Sequence, residues 1–210
     1  MSVDAELLAR WRTGDRDAGD RLLQRHFKSL YRFFAHKVDG GVEDLIQRTL
    51  LRCVERRDDV KKLESFRAYL FSIARHELYA RLRQLKRDRD QDDISECSVA
   101  DLTASLGSVV TRKREQRLLL EALRALPVAT QLLLELHYWE SMSTQELSAA
   151  LDIPQGTVKS RLRLAREALR DRLEQLADSP ELLASTVSDL DRWASELRAE
   201  ASSSPSDLSS

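Results

Sequence analysis

With 210 residues, 6 Gly, 4 Pro and 33% charged side chains, the chain has room for one ordinary domain or two small ones and the residue usage of a mostly helical protein. Two cysteines exclude a disulfide framework, and His26, His36, His76 and His137 have no Cys or carboxylate at metal-ligand spacing, so no metal and no cofactor is expected. The formal net charge of −1 conceals segregation: six basic residues stand against two acidic ones in 75–89 and again in 155–172, whereas 178–210 holds seven acidic and two basic residues.

No apolar run approaches the roughly 18 residues of a membrane helix, and no basic region followed by an apolar stretch opens the chain. A cytoplasmic protein without a membrane partner is expected. Neither a phosphate-binding Gly-rich loop nor a catalytic constellation is present in the sequence, so an enzyme is not expected.

In chain order, the first stretch predicts two helices separated at Gly14–Asp15. The first turns Leu7, Leu8 and Trp11 inward, and the second Leu22, Leu23, Phe27, Leu30, Tyr31 and Phe34. After Gly40 and Gly41, a helix over 43–56 carries an apolar stripe at Leu45, Ile46, Thr49, Leu50, Cys53 and Val54. Ser65 then caps a helix with Leu70, Phe71, Ala74, Leu78, Leu82 and Leu85 inside. From Asp88 to about Ser108 the periodicity gives way to small and acidic residues, the composition of a linker.

A second domain follows, with "RLLLEALRAL", a stop at Pro127, and "ATQLLLELHYWE". Ser143 and Glu146 stand at capping-box spacing ahead of Leu147, so a short helix should end near Ala150. Leu151, Asp152 and Ile153 predict a tight turn, and Pro154 the entry to a long basic helix whose apolar pattern begins at Thr157, Val158 and Leu162. Short helix, tight turn and long basic helix make a helix-turn-helix, whose second helix places its N-terminal residues in the major groove. Gln155, Thr157, Lys159, Ser160 and Arg163 offer donors and acceptors there, and Gly156 lets a backbone approach. Arg166, Arg170 and Arg172 are equally well a solvated face.

Beyond Leu176, residues 179 to about 200 place Leu183, Val187, Leu190, Ala194 and Leu197 on one seam with Trp193 alongside. That segment either packs on its own domain or, being acidic, covers the basic recognition surface or docks a partner. The final "ASSSPSDLSS" has the composition of a disordered tail.

The run "LPVATQLLLELHYWESMSTQELSAALDIPQGTVKSRLRLAREALR" resembles the promoter-recognising C-terminal domain of bacterial extracytoplasmic-function (ECF) sigma factors, of the sigma-70 type. The stretches "GDRDAGDRLLQRHFKSLYRFF", "VEDLIQRTLLR" and "SFRAYLFSIAR" resemble the other domain of that family, in the right order, so that the likeness spans about residues 5–177. It implies an all-α protein of two small helical domains joined by a flexible linker, the second a helix-turn-helix, with a C-terminal helical extension. The expected division is a region 2-like domain over 1–87, a linker over 88–112, a region 4-like domain over 113–177 and an acidic extension over 178–210.

The resemblance implies a non-enzymatic partner of core RNA polymerase that directs initiation at promoter DNA. The −35 element would be read by Gln155, Gly156, Thr157, Lys159, Ser160, Arg161 and Arg163, and the −10 element held as a single strand by Phe66, Arg67, Tyr69, Arg75, His76, Tyr79, Arg81 and Arg83. Core polymerase would contact Asp44, Leu45, Gln47 and Leu51. For Phe66, Tyr69 and Tyr79 a place in the core is an equal expectation, and Asp44 also suits a helix N-terminus. The acidic linker residues Asp88, Asp90, Asp92, Asp93 and Glu96 would thread through the polymerase or simply be solvated. An anti-sigma factor is a further partner.

Several positions depart from the family pattern: Arg48 for a Glu, His76 and Ala80 for an Asn and an Asp, and Asp152 and Ser141 for turn glycines. The alternatives are a stand-alone helix-turn-helix regulator that binds operator DNA without polymerase, or a degenerate relative that sequesters a partner.

Overall fold

The structure is a computed structural model that describes residues 3–56, 65–86, 95–102 and 114–188. Among them every element is helical, apart from an isolated antiparallel bridge between Ser98 and Pro127. No helix among these residues is long and apolar enough to cross a membrane.

Four helices form the N-terminal unit: α1 (Val3–Arg12), α2 (Arg16–Ala35), α3 (Val42–Glu55) and α4 (Phe66–Lys86). Asp15 starts α2 by accepting the Ala18 N–H at 3.0 Å. Close packing of α1 on α2 depends on Gly19, because a Cβ there would lie 2.5 Å from Trp11 Cδ1. Asp4 ties the same two helices together, accepting from Arg25 Nε at 2.9 Å and lying 2.8 Å from His26 Nε2. The His26 contact, with help from Arg25, lowers the Asp4 carboxyl to about 2.

His26 thereby occupies an inward position, and the buried stripe of α2 runs through Leu22, His26, Leu30, Phe33 and Phe34. Phe27 and Tyr31, expected inside, lie on the outer face at 45% and 40% exposure. On α3, Leu45, Ile46, Thr49 and Cys53 are buried as expected while Val54 is exposed, and on α4 Leu85 is likewise exposed. Burial pushes the Cys53 thiol up to about 12.

The C-terminal unit comprises α6 (Arg114–Arg124), α7 (Val128–Tyr138), α8 (Thr144–Leu151) and α9 (Gln155–Leu176), with α10 (Pro180–Ser188) packed on α6 and α9. The inner part of the C-terminal extension thus lies on its own unit through Leu182 and Leu183. Leu190, Trp193 and Leu197 lie outside the described residues.

Part of the expected linker is ordered. A short α5 (Val99–Leu102) buries Val99, Ser98 Oγ accepts the Asp101 N–H at 3.2 Å, and the Val128 and Ala129 N–H groups donate to the carbonyls of Cys97 and Ser95 at 2.8 and 3.2 Å. Asp88, Asp90, Asp92 and Asp93 lie outside the described residues, and Glu96 is beside the bridge.

The two units share one hydrophobic core running from Leu7 to Leu173, so the two helical domains lie face to face, an arrangement the sequence leaves open. Polar contacts fix their relative placement. Lys37 Nζ, fully buried, donates to Glu135 Oε2 and to the Phe33 carbonyl. Arg32 Nη2 donates to Glu140 Oε1 at 2.7 Å, and Arg124 Nη1 to the His36 carbonyl at 3.0 Å. Burial pulls Lys37 down and Glu135 up, each toward its neutral form, and their mutual attraction opposes both movements.

Candidate nucleic-acid and polymerase interfaces

The helix-turn-helix is built from local signals. Ser143 Oγ accepts the Glu146 N–H at 3.2 Å and the Glu146 carboxylate accepts the Ser143 N–H at 3.0 Å, a complete capping box for α8. Asp152 closes α8 in the left-handed conformation at φ 56°, and Ser148 Oγ donates to the Ile153 carbonyl at 2.6 Å across the turn. Pro154 then stands at the N-cap of α9, one residue before the first helical position. Gln155 Nε2 donates to Thr144 Oγ1 at 3.0 Å, which fixes the start of α9 against that of α8.

Along α9 the residues Val158, Leu162, Ala165, Leu169 and Leu173 face the core. That leaves Gln155, Gly156, Lys159, Ser160, Arg161 and Arg163 exposed on the first two turns, with Thr157 half-buried. Nothing lies within 4 Å of the place a Gly156 Cβ would take, so a ligand backbone has open access there. Arg163 pairs with Glu167 at 2.7 Å, an exposed contact that a phosphate can replace at little cost. Arg166 is already engaged, its Nε donating to the Tyr138 hydroxyl at 2.8 Å.

The residues of α4 divide. Phe66 and Tyr69 are core positions: the Phe66 ring lies 5.4 Å from that of His26, and the Tyr69 hydroxyl donates to the Arg56 carbonyl at 3.2 Å. Arg67, Arg75, Tyr79 and Arg81 are half-buried, and His76 and Arg83 are exposed. Burial first, then neighbouring Arg75, lowers the His76 pKa. The structure brings Arg75, His76, Tyr79 and Arg83 to the outer side of one helix but leaves Phe66 and Tyr69 without an open ring face. On α3, Asp44, Gln47 and Leu51 are exposed while Leu45 is buried; Asp44 pairs with Arg48 at 3.0 Å, within one helix turn.

Sequence reasoning gave no role to Arg32, Lys37, Glu135 and Glu140, which join the two units. Lys37 and Glu135 are 98 residues apart, and nothing local marks either as a buried partner.

A family model described as Sigma-70 region 2 matches residues 21–88, and one described as Sigma-70, region 4 matches residues 116–169. The "ECF RNA polymerase sigma factor SigL" of Mycobacterium tuberculosis is 30% identical over 164 residues, covering 74% of this chain and 88% of that protein. The "RNA polymerase sigma-E factor" of Streptomyces avermitilis is 31% identical over 147 residues, covering 70% and 78%. Among solved structures, the sigma factor RpoE from Bartonella quintana, crystallised with the anti-sigma factor NepR, shares the fold with a TM-score of 0.55. It is 23% identical and is matched over 76% of this chain and 98% of that one.

Proposed function

The chain belongs to the ECF sigma factors, which bind core RNA polymerase and direct promoter-specific initiation, and from that premise we propose how its own surfaces divide the work. The first two turns of α9 enter the major groove of the −35 element, where Arg161 and Arg163 reach base edges and phosphates while Lys159 acts as a point charge. The observation that carries this reading is the exposed Gln155-to-Arg163 surface, held rigidly behind a capped α8. Asp44, Gln47 and Leu51 on α3 contact core polymerase, and Leu45 supports them from within the core.

The outer side of α4 holds the −10 strand through Arg75 and Arg83 on phosphates and through His76 and Tyr79 against bases, with Arg67 and Arg81 reaching phosphates from the flank of the helix. Phe66 and Tyr69 support that helix from below. The protein performs no chemistry of its own and acts in the cytoplasm with the polymerase. NepR holds the Bartonella protein; for this chain an anti-sigma factor is the class of protein regulator that fits.

Size-exclusion co-elution of the full chain with core polymerase tests the assignment. The wild type is expected to travel with the enzyme, and an Asp44→Ala/Gln47→Ala variant to be lost from it. Co-elution of that variant at wild-type levels removes α3 from the polymerase contact. On duplex promoter DNA, Lys159→Ala and Arg163→Ala should each lower affinity and reduce the slope of log affinity against log salt by about 1.

A further inference from the structure

The side of α9 turned away from the core carries an apolar residue with no task in DNA reading so far. Val3, Leu51 and Leu164 are the large apolar side chains more than half exposed among the described residues, Leu164 at 53%. Val3 stands at the start of the described chain, and Leu51 on the face of α3 assigned to core polymerase. A lone exposed leucine is ordinary on most surfaces, but Leu164 sits on the ridge that a DNA duplex would meet first.

Residues three and four apart on a helix fall into one line. Val158, Leu162, Ala165, Leu169 and Leu173 form the buried stripe of α9, so the opposite line runs through Gly156, Ser160, Leu164, Glu167 and Asp171, all of them exposed. That line starts low. Gly156 has no side chain and nothing within 4 Å of the place its Cβ would take, and Ser160 folds its hydroxyl back to donate to the Thr157 carbonyl at 3.0 Å. Leu164 is the first side chain on it to stand out from the helix. It is also the last that anionic DNA can approach, because the carboxylates of Glu167 and Asp171 follow.

From Gly156 to Leu164 the helix rises about 12 Å at 1.5 Å per residue, about the width of the major groove. A helix lying in that groove with its first turns against the bases therefore keeps Leu164 inside it. Thr157 and Arg161 stand on one flank of the line, Lys159 and Arg163 on the other. Cations on both sides of an apolar side chain match a groove with phosphates along either edge and bases on its floor. Base edges there offer one apolar group, the C5-methyl of thymine.

We propose that Leu164 packs against the C5-methyl group of a thymine in the −35 duplex and so specifies thymine at the base pair reached by the third turn of α9. This rests on the assignment of α9 to the −35 element and extends that surface by one turn. Guanine, adenine and cytosine present only polar groups in the groove, and leucine has no donor or acceptor to compensate their desolvation.

The test uses the full chain assembled with core polymerase. Binding sites are selected from random-sequence duplex DNA, and affinity for the selected duplexes is read by fluorescence anisotropy. The wild type is expected to require thymine at one base pair. Replacing that thymine with deoxyuridine removes the methyl alone and should weaken binding about fourfold, the factor for one methyl-sized group taken out of an apolar contact. Leu164→Ala should bind the two duplexes equally. Leu164→Arg should select guanine in place of thymine there, since a guanidinium bonds to guanine O6 and N7. Because Leu164 is exposed, neither variant should disturb folding or co-elution with core polymerase.

Selected sites without a methyl-dependent thymine overturn the proposal, as does a Leu164→Ala variant that keeps the wild-type ratio between thymine and deoxyuridine duplexes. In either case Lys159→Ala and Arg163→Ala decide the assignment of α9: weaker duplex binding in one or both leaves it standing, and wild-type binding in both removes it as well. A Leu164→Ala chain that no longer co-elutes with core polymerase puts the leucine in a protein contact and also overturns the thymine contact.

Discussion

His36 is a base whose buried surroundings oppose its protonation. Its ring is buried with its centroid 6.0 Å from that of Trp139, and its Nδ1 lacks a hydrogen-bond partner among the described residues. Burial, aided by Lys37, Arg124 and Arg32, lowers its pKa to about 3 from the ordinary 6.5. Between those two values the unfolded chain takes up a proton that the folded chain refuses, so this stability is complete above pH 6.5 and drains away as pH falls toward 3. By pH 5 the loss is up to about 2 kcal/mol. His36→Phe should flatten the dependence, and urea unfolding at pH 5 and pH 8 will show it as a larger gain at pH 5.

At Gly19 two effects oppose each other: Ala is the better helix former by about 1 kcal/mol, but its Cβ would strike the buried Trp11 ring. Overpacking of about 1–3 kcal/mol decides the sign, and Gly19→Ala should lower the urea midpoint. Leu7, Leu8 and Trp11 were legible from spacing alone. Phe27 and Tyr31 were not, because the inward position went to His26 through its contact with Asp4, 22 residues earlier.

At the level of elements, the helix-turn-helix is the most legible part of the molecule, since its signals are local. The Ser143–Glu146 box and the Asp152 turn were both readable in a short window, and both are present. Ser143→Ala should cost about 1 kcal/mol in chemical unfolding. Asp152 and Ser141, which stand where the family has glycines, are the non-glycine residues with positive φ among those described, at 56° and 51°. Asp152→Gly should therefore relieve the left-handed strain and leave the unit as stable or slightly more so, by up to about 1 kcal/mol. The order in α5 was hidden from the sequence, because a composition of small and acidic residues does not reveal that Val99 is buried or that Ser98 pairs with Pro127.

For the whole molecule, the order of helices and the family were readable, but the closure of one unit on the other was not, since it depends on pairs such as Lys37–Glu135 that no local pattern announces. Lys37→Met alone strands the Glu135 carboxylate in the core and should cost about 3–5 kcal/mol, whereas Lys37→Met/Glu135→Leu should recover most of that loss. A double-mutant cycle by thermal unfolding measures the coupling; equal losses in the two variants would mean that the carboxylate finds another partner or neutralises itself.

The bridge from Ser98 to Pro127 has a consequence for reach. While it holds, only the chain between Lys86 and Ser95 tethers the end of α4 to the second unit, and fully extended that length covers about 32 Å. Freed as far as Arg114, the same tether extends to about 100 Å. Any wider separation of the two units must therefore begin by releasing α5 and the bridge, and a substitution that loosens Val99 from the core should lengthen the protein's reach without touching any residue proposed to face DNA.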